Sequence, residues 1–294
     1  MKKCDIIIPI YNAYNCLADC IDSIIKHTDF QSAHLILIDD LSPDKRVLPL
    51  LEKYQAANPK TITLLKNKKN LGFVKTVNKG MKYSKNDVLL LNSDTIVTKN
   101  WLEKLQTCAY SNKKIATATP FSNNLTPMTP LPESFRKQGF PDGWTLEEMA
   151  KTVENCSSHL YPEIPSSHGF CMYIKRKALD EVGLFDEKSF GKGYGEENDF
   201  CFRCTKRGYK HAFCDDTYIF HKGTQSFLDK REFHNEVLLA KYPEIMNEVG
   251  QWYARQELKG ITDNILSAIN KRENTKRPLL KRIYLKLRFL LLGR

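Results

Sequence analysis

Apolar runs of strand length alternate with amphipathic stretches through the first half of the chain. The apolar runs lie at residues 5–10, 34–38, 61–65 and 88–91, and stretches with helical periodicity lie at 13–26, 45–57 and 73–83. Strands that alternate with helices in this way are typical of βαβ units. Runs such as DIIIPI and HLILI are continuously apolar, as expected for strands buried on both faces. The sequence therefore predicts an α/β fold with a mostly parallel sheet flanked by helices.

Polar residues follow each of these predicted strands. They form four groups, PIYN (9–12), DDLSPD (39–44), NLG (70–72) and NSD (92–94). A single carboxylate after a strand is usually a helix N-cap or a turn residue. Ligands of open α/β sheets, however, bind at the carboxyl ends of the strands. Four polar groups at one edge of the sheet therefore favour a binding pocket there.

The second half of the chain is less regular. Residues 120–165 are rich in Pro, Ser, Asn and Thr, with one helical patch near 144–152, and a long irregular segment of this kind is often a functional lid. Residues 169–183 (GFCMYIKRKALDEVG) predict a strand followed by a helix. The glycine-rich run FGKGYGEEND (190–199) brings acids to the start of another helix. Strands are predicted at 209–214 and 216–221, and helices from about residue 229 onward.

Composition restricts the class of protein. The chain has 294 residues, of which 41% are hydrophobic and 27% charged, as in ordinary soluble domains. No apolar run approaches the roughly 20 residues that span a bilayer. The N-terminus, MKKCDIIIPIYN, resembles a signal peptide only briefly, because Asp5, Pro9 and Asn12 interrupt it. We therefore expect a first buried strand and a cytoplasmic protein.

The nine cysteines show no disulfide framework, which favours a reducing compartment. Cys201, Cys204, His211 and Cys214 have the residue types of a zinc site. Their spacing is too short for the usual zinc fingers, and small buried cysteines are common. We therefore expect Cys201 and Cys204 on a helix and Cys214 on a strand, as part of the core.

The formal net charge of +11 is unevenly distributed. Residues 271–294 contain nine Lys or Arg and one Glu, a net charge of +8, which leaves +3 for the rest of the chain. Such a local excess argues against nucleic-acid binding, which predicts basic residues spread through the fold. Residues 279–292 (LLKRIYLKLRFLLL) have an apolar face and a largely basic opposite face, as in helices that lie on anionic membranes. A helix packed on the domain or a dimer contact are the alternatives.

Seven motifs in order resemble the family-2 glycosyltransferases with the GT-A fold. They are IIIPIYN, LIDDLSPD, NLGFVKTVNKG, LLLNSDT, GFCMYIKR, GEENDFCFR and IFHKGTQS, between residues 4 and 226. The resemblance implies transfer of a sugar from a nucleotide diphosphate donor to an acceptor hydroxyl, usually with inversion. It also implies a Mn²⁺ or Mg²⁺ ion at the leaving diphosphate and a carboxylate as general base.

The resemblance places the metal site after the fourth strand. Asp94 matches the last acid of the family's Asp-x-Asp signature, while Asn92 departs from the pattern by replacing the first Asp with a neutral amide. An amide can still bond to the donor ribose or to a metal-bound water, although it contributes less negative charge. His221 matches a histidine that some relatives use as a metal or phosphate ligand.

The resemblance likewise assigns the nucleotide contacts. Asp39 is expected at the base, where a carboxylate would favour uridine or thymidine, and Tyr11 is expected to stack on it. Asp40 has two interpretations, a ribose contact or an organiser of the turn. The full expected set is Pro9, Ile10, Tyr11, Asp39, Asp40, Gly72, Asn92 and Ser93.

The run Glu196-Glu197-Asn198-Asp199 aligns with the family's Glu-Asp motif, whose second acid is the usual base. This position falls on Glu197, and Glu196 is the alternative for the base or for acceptor binding. Asp199 is expected to be a first-turn helix acid. The plain alternative for the whole run is a solvated acidic helix start.

The resemblance divides the chain into a catalytic domain, 1–228, and a helical C-terminal region, 229–294, with the basic amphipathic tail 271–294. Within the domain, 1–100 is the nucleotide-binding half and 101–228 the acceptor half, with the lid at 120–165. We expect an inverting, metal-dependent transferase that builds a surface glycan from a UDP- or dTDP-sugar on a glycan or lipid-linked acceptor. It would be cytoplasmic, with 279–294 on the inner face of the membrane. A non-catalytic nucleotide-binding homologue, a nucleotidyltransferase and a nucleic-acid-binding protein are the rivals, and the oligomeric state is open.

Overall fold

The computed structural model describes residues 2–124, 128, 131–191, 193–223 and 235–276. The strands are β1 (Cys4–Ile10), β2 (Ala33–Asp39), β3 (Ile62–Lys66), β4 (Asp87–Leu91), β5 (Thr95–Ile96), β6 (Ile115–Ser122), β7 (Glu163–Ile164), β8 (Cys171–Ile174) and β9 (Lys210–His221). The helices of the first half are α1 (Tyr14–His27), α2 (Val47–Ala57), α3 (Phe73–Tyr83) and α4 (Trp101–Tyr110). The later helices are α5 (Glu133–Gln138), α6 (Leu146–Cys156), α7 (Arg176–Val182), α8 (Glu187–Phe190), α9 (Glu196–Lys206), α10 (Asn235–Lys241), α11 (Pro243–Arg255) and α12 (Lys259–Lys276).

The described strands form one mixed sheet in the order β3-β2-β1-β4-β8-β6-β9-β5, with β7 also paired to β9. Strands β1 to β4 pair in parallel, as the apolar runs predict, and β6 is parallel to β9. Strand β8 is antiparallel to both β4 and β6, and β5 and β7 are antiparallel to β9. The parallel half therefore brings the ends of β1, β2 and β4 to one edge of the sheet.

Helices cover both faces of the sheet and define two apolar clusters. Helices α1, α4, α6 and α12 contribute to the larger cluster, around side chains such as Ile6, Ile8, Leu89 and Trp101. Helices α3, α7, α9 and α10 contribute to the other, around Ile7. Odd and even residues of β1 thus face opposite clusters, as the strand period of two requires. The prediction of strands buried on both faces is confirmed.

Two regions differ from the sequence-based expectation. Residues 120–165 contain the end of β6, helices α5 and α6 and strand β7, so this segment is less irregular than predicted. The helical patch near 144–152 is confirmed as α6, which begins with a capping box between Thr145 and Glu148. The two strands expected at 209–221 are one strand, β9, whose pairing with β6 shifts register between Pro120 and Phe121.

The C-terminal region is helical over 235–276, as predicted, and packs on both faces. Leu238 of α10 belongs to one cluster, whereas Ile265 and Ile269 of α12 belong to the other. The Trp144 indole donates to Glu273 Oε1 at 2.5 Å. The amphipathic segment 279–292 and the rest of 277–294 lie outside the described residues. Among those described, no helix is both long and apolar enough to cross a bilayer.

Candidate active site

The loops that follow β1 and β2 are tied to each other. Asn12 has a left-handed backbone conformation (φ 61°), its N–H donates to Ser42 Oγ at 3.0 Å, and its Oδ1 accepts from the Asp44 N–H at 3.2 Å. Tyr11, at the start of this arrangement, is half-buried. Pro9 is also half-buried, whereas Ile10 is fully buried, and its carbonyl accepts from the Asp40 N–H at 2.8 Å. Of these three predicted nucleotide contacts, Ile10 therefore has no exposed side chain to offer.

Asp39 and Asp40 are both buried at this edge, with different hydrogen-bond partners. Asp40 Oδ1 accepts from the Leu71 N–H at 2.7 Å and from Asn67 Nδ2 at 2.8 Å, and its Oδ2 accepts from the Gly72 N–H at 2.8 Å. Asp40 thus organises the loop that enters α3 rather than the turn of its own segment, and its ribose contact remains a prediction. Asp39 Oδ1 accepts from the Ser42 N–H at 3.1 Å, and its contact with a nucleotide base remains a prediction.

Asp94 and His221 lie side by side at the end of the sheet. The antiparallel pairing of β5 with β9 places Thr95 opposite His221, so Asp94 Oδ1 comes within 3.3 Å of His221 Nε2. Asn92 Nδ2 is 3.5 Å from the same nitrogen, and Ser93, between them, is buried. Asp94 and His221 are 127 positions apart in the sequence and belong to separate motifs, and the structure brings them together.

The orientation of His221 is fixed both through its backbone and through its ring. Its backbone N–H donates to Asn123 Oδ1 at 2.8 Å, and its carbonyl accepts from Asn123 Nδ2 at 3.0 Å. The ring stacks on Phe170 with centroids 5.0 Å apart and planes 14° apart. The imidazole is therefore oriented before any ligand arrives, with Nε2 toward the carboxylate.

This donor set fits a divalent cation that is bound together with a diphosphate. One carboxylate, one imidazole and a nearby amide suit Mn²⁺ or Mg²⁺. In the part of the chain that the structure describes, no group of three or more His, Cys, Asp or Glu side chains is arranged to hold a metal. Protein ligands alone would thus leave most coordination positions open, as is usual where substrate phosphates complete the shell.

Glu196 is buried and Glu197 is half-buried at the start of α9. Only 4% of Glu196 is exposed, and its Oε2 has no hydrogen-bond partner among the described residues. Burial raises the pKa of Glu196 well above its ordinary value, and the charge of Glu197 raises it further. Burial also raises the pKa of Glu197, whose Oε2 accepts from the Gly195 N–H at 3.2 Å. This pair is not the solvated acidic helix start of the plain alternative.

Glycine is required where the acids enter the site. Gly193 has φ 133°, and a Cβ built there would lie 3.6 Å from Phe73 Cβ and 3.9 Å from Glu196 Oε2. The start of α3 therefore adjoins the acidic pair. Gly195 has φ 113°, and a Cβ there would overlap the Phe190 ring at 2.9 Å. Only glycine adopts both the backbone conformation and the close approach without strain.

A buried ion network holds α9 from behind. Asp199 has no exposed surface; its Oδ2 accepts from Arg203 Nε at 2.8 Å, and its Oδ1 accepts from the Tyr242 hydroxyl at 2.7 Å and from Lys241 Nζ. Lys241 also bonds to Asp186 at 3.1 Å. Asp199 is thus the first-turn acid that the sequence predicts, with the additional task of joining α9 to α10.

The loop between β7 and β8 connects the two halves of the site. Ser166 Oγ donates to Asn198 Oδ1 at 2.7 Å, a Cβ at Gly169 would lie 3.9 Å from Glu197 Cδ, and the Phe170 carbonyl accepts from the Asn92 N–H at 2.8 Å. One short loop therefore bonds to Asn198 of α9 and to Asn92, and its Gly169 lies beside Glu197. His168 in this loop was not among the predicted site residues, although the polar run SSHG before a predicted strand could have indicated it.

His168 is neutral at physiological pH. Burial lowers the pKa of its imidazole to about 4, and the nearby His221 contributes in the same direction. A neutral imidazole can donate and accept one hydrogen bond each, which suits contact with a sugar hydroxyl.

The cysteine-rich group forms no metal site. Cys201, Cys204 and Cys214 are fully buried, and His211 bonds to Thr117 Oγ1 at 2.7 Å and to the Cys201 carbonyl at 3.0 Å. The interpretation of these cysteines as core residues is confirmed.

Comparison with known proteins connects this geometry with a family. A stretch of 119 residues, 39% of this chain, is 32% identical to an uncharacterized glycosyltransferase of Haemophilus influenzae and covers 36% of that protein. The fold is similar to that of GalNAc-T7 solved with UDP, GalNAc and Mn²⁺, at a TM-score of 0.63 and 14% identity, over 91% of this chain and 54% of that one. It is also similar to the mannosyltransferase PcManGT of Pyrobaculum calidifontis with GDP-Man and Mn²⁺, at a TM-score of 0.59 and 14% identity, over 100% of this chain and 81% of that one.

These similarities confirm the predicted GT-A-like α/β fold. The chain spans about a third of the Haemophilus relative and about half of GalNAc-T7. Residues 5–183 match the model of glycosyl transferase family 2, which is more than half of the chain. The chain belongs to glycosyl transferase family 2.

Proposed function

We propose that this protein transfers a sugar from a nucleotide diphosphate donor to an acceptor hydroxyl, with inversion at the sugar carbon. The observation that carries the proposal is the position of loop 165–170, which lies beside Glu197 at the start of α9 and bonds to Asn92 next to the Asp94–His221 pair. A glycosyl transfer of this kind needs a base for the acceptor and stabilisation of the leaving diphosphate.

The acceptor hydroxyl would lose its proton to Glu197. Its raised pKa makes this carboxylate a stronger base than an exposed glutamate, and a base is most effective when its pKa approaches the working pH. Burial raises the pKa of Glu196 well above its ordinary value, and the charge of Glu197 raises it further, so Glu196 is the carboxyl of the pair that would hold a proton. The protonated Glu196 can then donate a hydrogen bond to the acceptor.

Asp94 and His221 would hold a divalent cation at the donor diphosphate, with Asn92 close by. When bound, Mn²⁺ or Mg²⁺ supplies Lewis-acid stabilisation of the leaving phosphates. The chain itself orients His221 through Asn123 and Phe170. Both GalNAc-T7 and PcManGT were solved with Mn²⁺, which supports this choice of cation.

For the donor we propose UDP- or dTDP-sugar, since Asp39 at the end of β2 can accept the N3–H of uracil or thymine. For the acceptor we propose a glycan or lipid-linked glycan of surface polysaccharide synthesis. Tail residues 279–294 would place the protein on the inner face of the membrane. The acceptor half, 101–228, would select the sugar and the linkage.

A thermal-shift panel of UDP, dTDP, GDP and CDP, each with Mn²⁺ and with a chelator, tests the donor side. Ligands that bind the native state raise the melting temperature by mass action. We expect a rise with UDP or dTDP that depends on Mn²⁺. A rise with GDP alone would overturn the assigned base, and no rise with any nucleotide on folded protein would overturn the transferase proposal.

A further inference from the structure

Positive charge is concentrated in residues 66–85, which we call the lysine segment. The segment contains seven lysines and no acidic residue or arginine. Since residues 1–270 together carry +3, everything in that range outside the lysine segment carries a net −4. The excess positive charge of the described fold is thus concentrated in 20 consecutive residues.

Most of these lysines point into solvent and have no counter-charge. Lys66 pairs with Glu52 at 2.5 Å, and Lys82 lies 3.9 Å from Glu187. Lys68, Lys69, Lys75 and Lys85 are exposed and form no ion pair with any residue the structure describes. Lys79 donates to the Lys66 carbonyl and to Asn67 Oδ1. The ammonium groups of Lys68, Lys69, Lys75 and Lys85 are therefore available to an anionic partner.

Helix α3 arranges part of the lysine segment as a face. Lys75, Lys79 and Lys82 recur at positions i, i+4 and i+7, which lie on one side of a helix. Tyr83, next to this row, is 53% exposed. At the end of α3, a crevice of about 360 Å³ is lined by Lys82, Lys85 and Arg176, and also by Asp180, which lies 3.5 Å from Arg176. The lysine segment therefore continues past the helix as far as Lys85.

The other end of α3 lies at the candidate active site. The Gly72 N–H bonds to Asp40, and Phe73 packs against Gly193 beside Glu196. The 11 residues of α3 span about 16 Å at 1.5 Å per residue. Whatever binds the lysine segment is thus held within about one helix length of the acidic pair.

We propose that the lysine segment docks the protein on an anionic lipid bilayer. The segment uses lysine throughout, and lysine binds phosphate as a point charge, whereas ordered recognition of individual phosphates favours the fork of arginine. Clustered lysines are attracted to the negative potential of anionic lipid surfaces, and tyrosine side chains are common at the headgroup level of membranes. This adds a contact separate from the tail 279–294.

Vesicle binding by the full chain tests the proposal without any measurement of transfer, so its failure leaves the transferase proposal intact. One variant carries Lys68→Gln, Lys69→Gln, Lys75→Gln and Lys85→Gln. The matched control removes the same charge from four other exposed lysines, Lys99, Lys113, Lys114 and Lys151. Both retain the tail, and unchanged melting temperatures establish that both fold.

Binding is measured by co-sedimentation with phosphatidylcholine vesicles, with and without phosphatidylglycerol, at low and high salt. We expect the native chain to bind only the anionic vesicles, and the lysine-segment variant to bind at least about tenfold more weakly than the control variant. High salt should reduce this difference, because exposed charges are screened.

Three results would overturn the proposal. The first is equal vesicle binding by the two variants, and the second is absence of vesicle binding by the native chain. The third is a lysine-segment variant that binds soluble polyphosphate more weakly than the control variant does but binds vesicles equally well. The last result would identify a polyanionic chain as the partner of the lysine segment.

Discussion

Replacing Glu196 by glutamine should stabilise the protein, and the gain over the native chain should grow as the pH rises. The native side chain is buried, its Oε2 has no hydrogen-bond partner among the described residues, and its pKa is raised well above the ordinary 4.5. In the unfolded chain the same carboxyl ionises near its ordinary pKa. Above that pH the folded state therefore binds a proton that the unfolded state has released, and stability falls with increasing pH.

The magnitude follows from this difference of one proton. Each pH unit above the ordinary pKa costs the folded protein about 1.4 kcal/mol for as long as Glu196 remains protonated. The cost is absent below about pH 4, where both states are protonated, and it grows until the pH reaches the raised pKa of Glu196. Glutamine resembles the protonated acid and cannot titrate. In a chain of this size the variant should melt about 3 °C higher for each pH unit over which Glu196 keeps its proton, and at nearly the same temperature at pH 4.

Melting temperatures of the native chain and of Glu196→Gln, measured from pH 4 to pH 8, check this prediction. The control is Glu244→Gln, which changes an exposed glutamate in the first turn of α11 and should give a difference that varies little with pH. If the Glu196→Gln difference is equally constant, then the buried carboxyl does not retain its proton and the reasoning is wrong. Under the transferase proposal, this variant should keep its activity, because the glutamine amide can donate the hydrogen bond assigned to protonated Glu196.

Three further perturbations address the site. Glu197→Gln should lower kcat by about 10² to 10⁴-fold while UDP still raises the melting temperature; full turnover would exclude Glu197 as the base. Asp94→Asn should abolish the Mn²⁺ dependence of the UDP-induced thermal shift, and a shift that still disappears with chelator would exclude Asp94 as a ligand. Lys241→Met should lower the melting temperature by about 2–6 °C, because it removes a partner of fully buried Asp199. Lys241→Arg should restore it, and equal melting of the two variants would show that the charge is not what matters.

The sequence identified the elements whose signals are local. The apolar runs of β1, β2 and β4 are long, uninterrupted and followed by polar turns, so their position and parallel pairing could be predicted. Strand β5 has two residues and β7 has two, too few for any period to be visible. β6 contains Pro120 and is buried along its whole length; no strand was predicted there, and the segment expected to be irregular began at residue 120. These strands form because neighbouring strands are already in place.

Contacts between distant residues limited the prediction of the site. The order of motifs indicated Asp94, His221 and Glu197, but not that loop 165–170 joins them. The pairing of Asp199 with Lys241 and Tyr242 connects residues 42 and 43 positions apart. No periodicity in either segment contains that information, because a lysine on a helix is ordinarily a solvent-exposed residue.

Because Asn92 is neutral, cation binding at this site would depend on the donor. With an aspartate there, two carboxylates beside His221 would attract a cation before any substrate was present. With the amide, Asp94 supplies the one carboxylate of the NSD turn, and its Oδ1 is 3.3 Å from His221 Nε2. A cation held here would need most of its remaining oxygen ligands from a diphosphate. Binding of cation and donor should therefore be mutually dependent, each strengthening the other by the same factor. A site built in this way would engage the cation chiefly when a nucleotide sugar is present to use it.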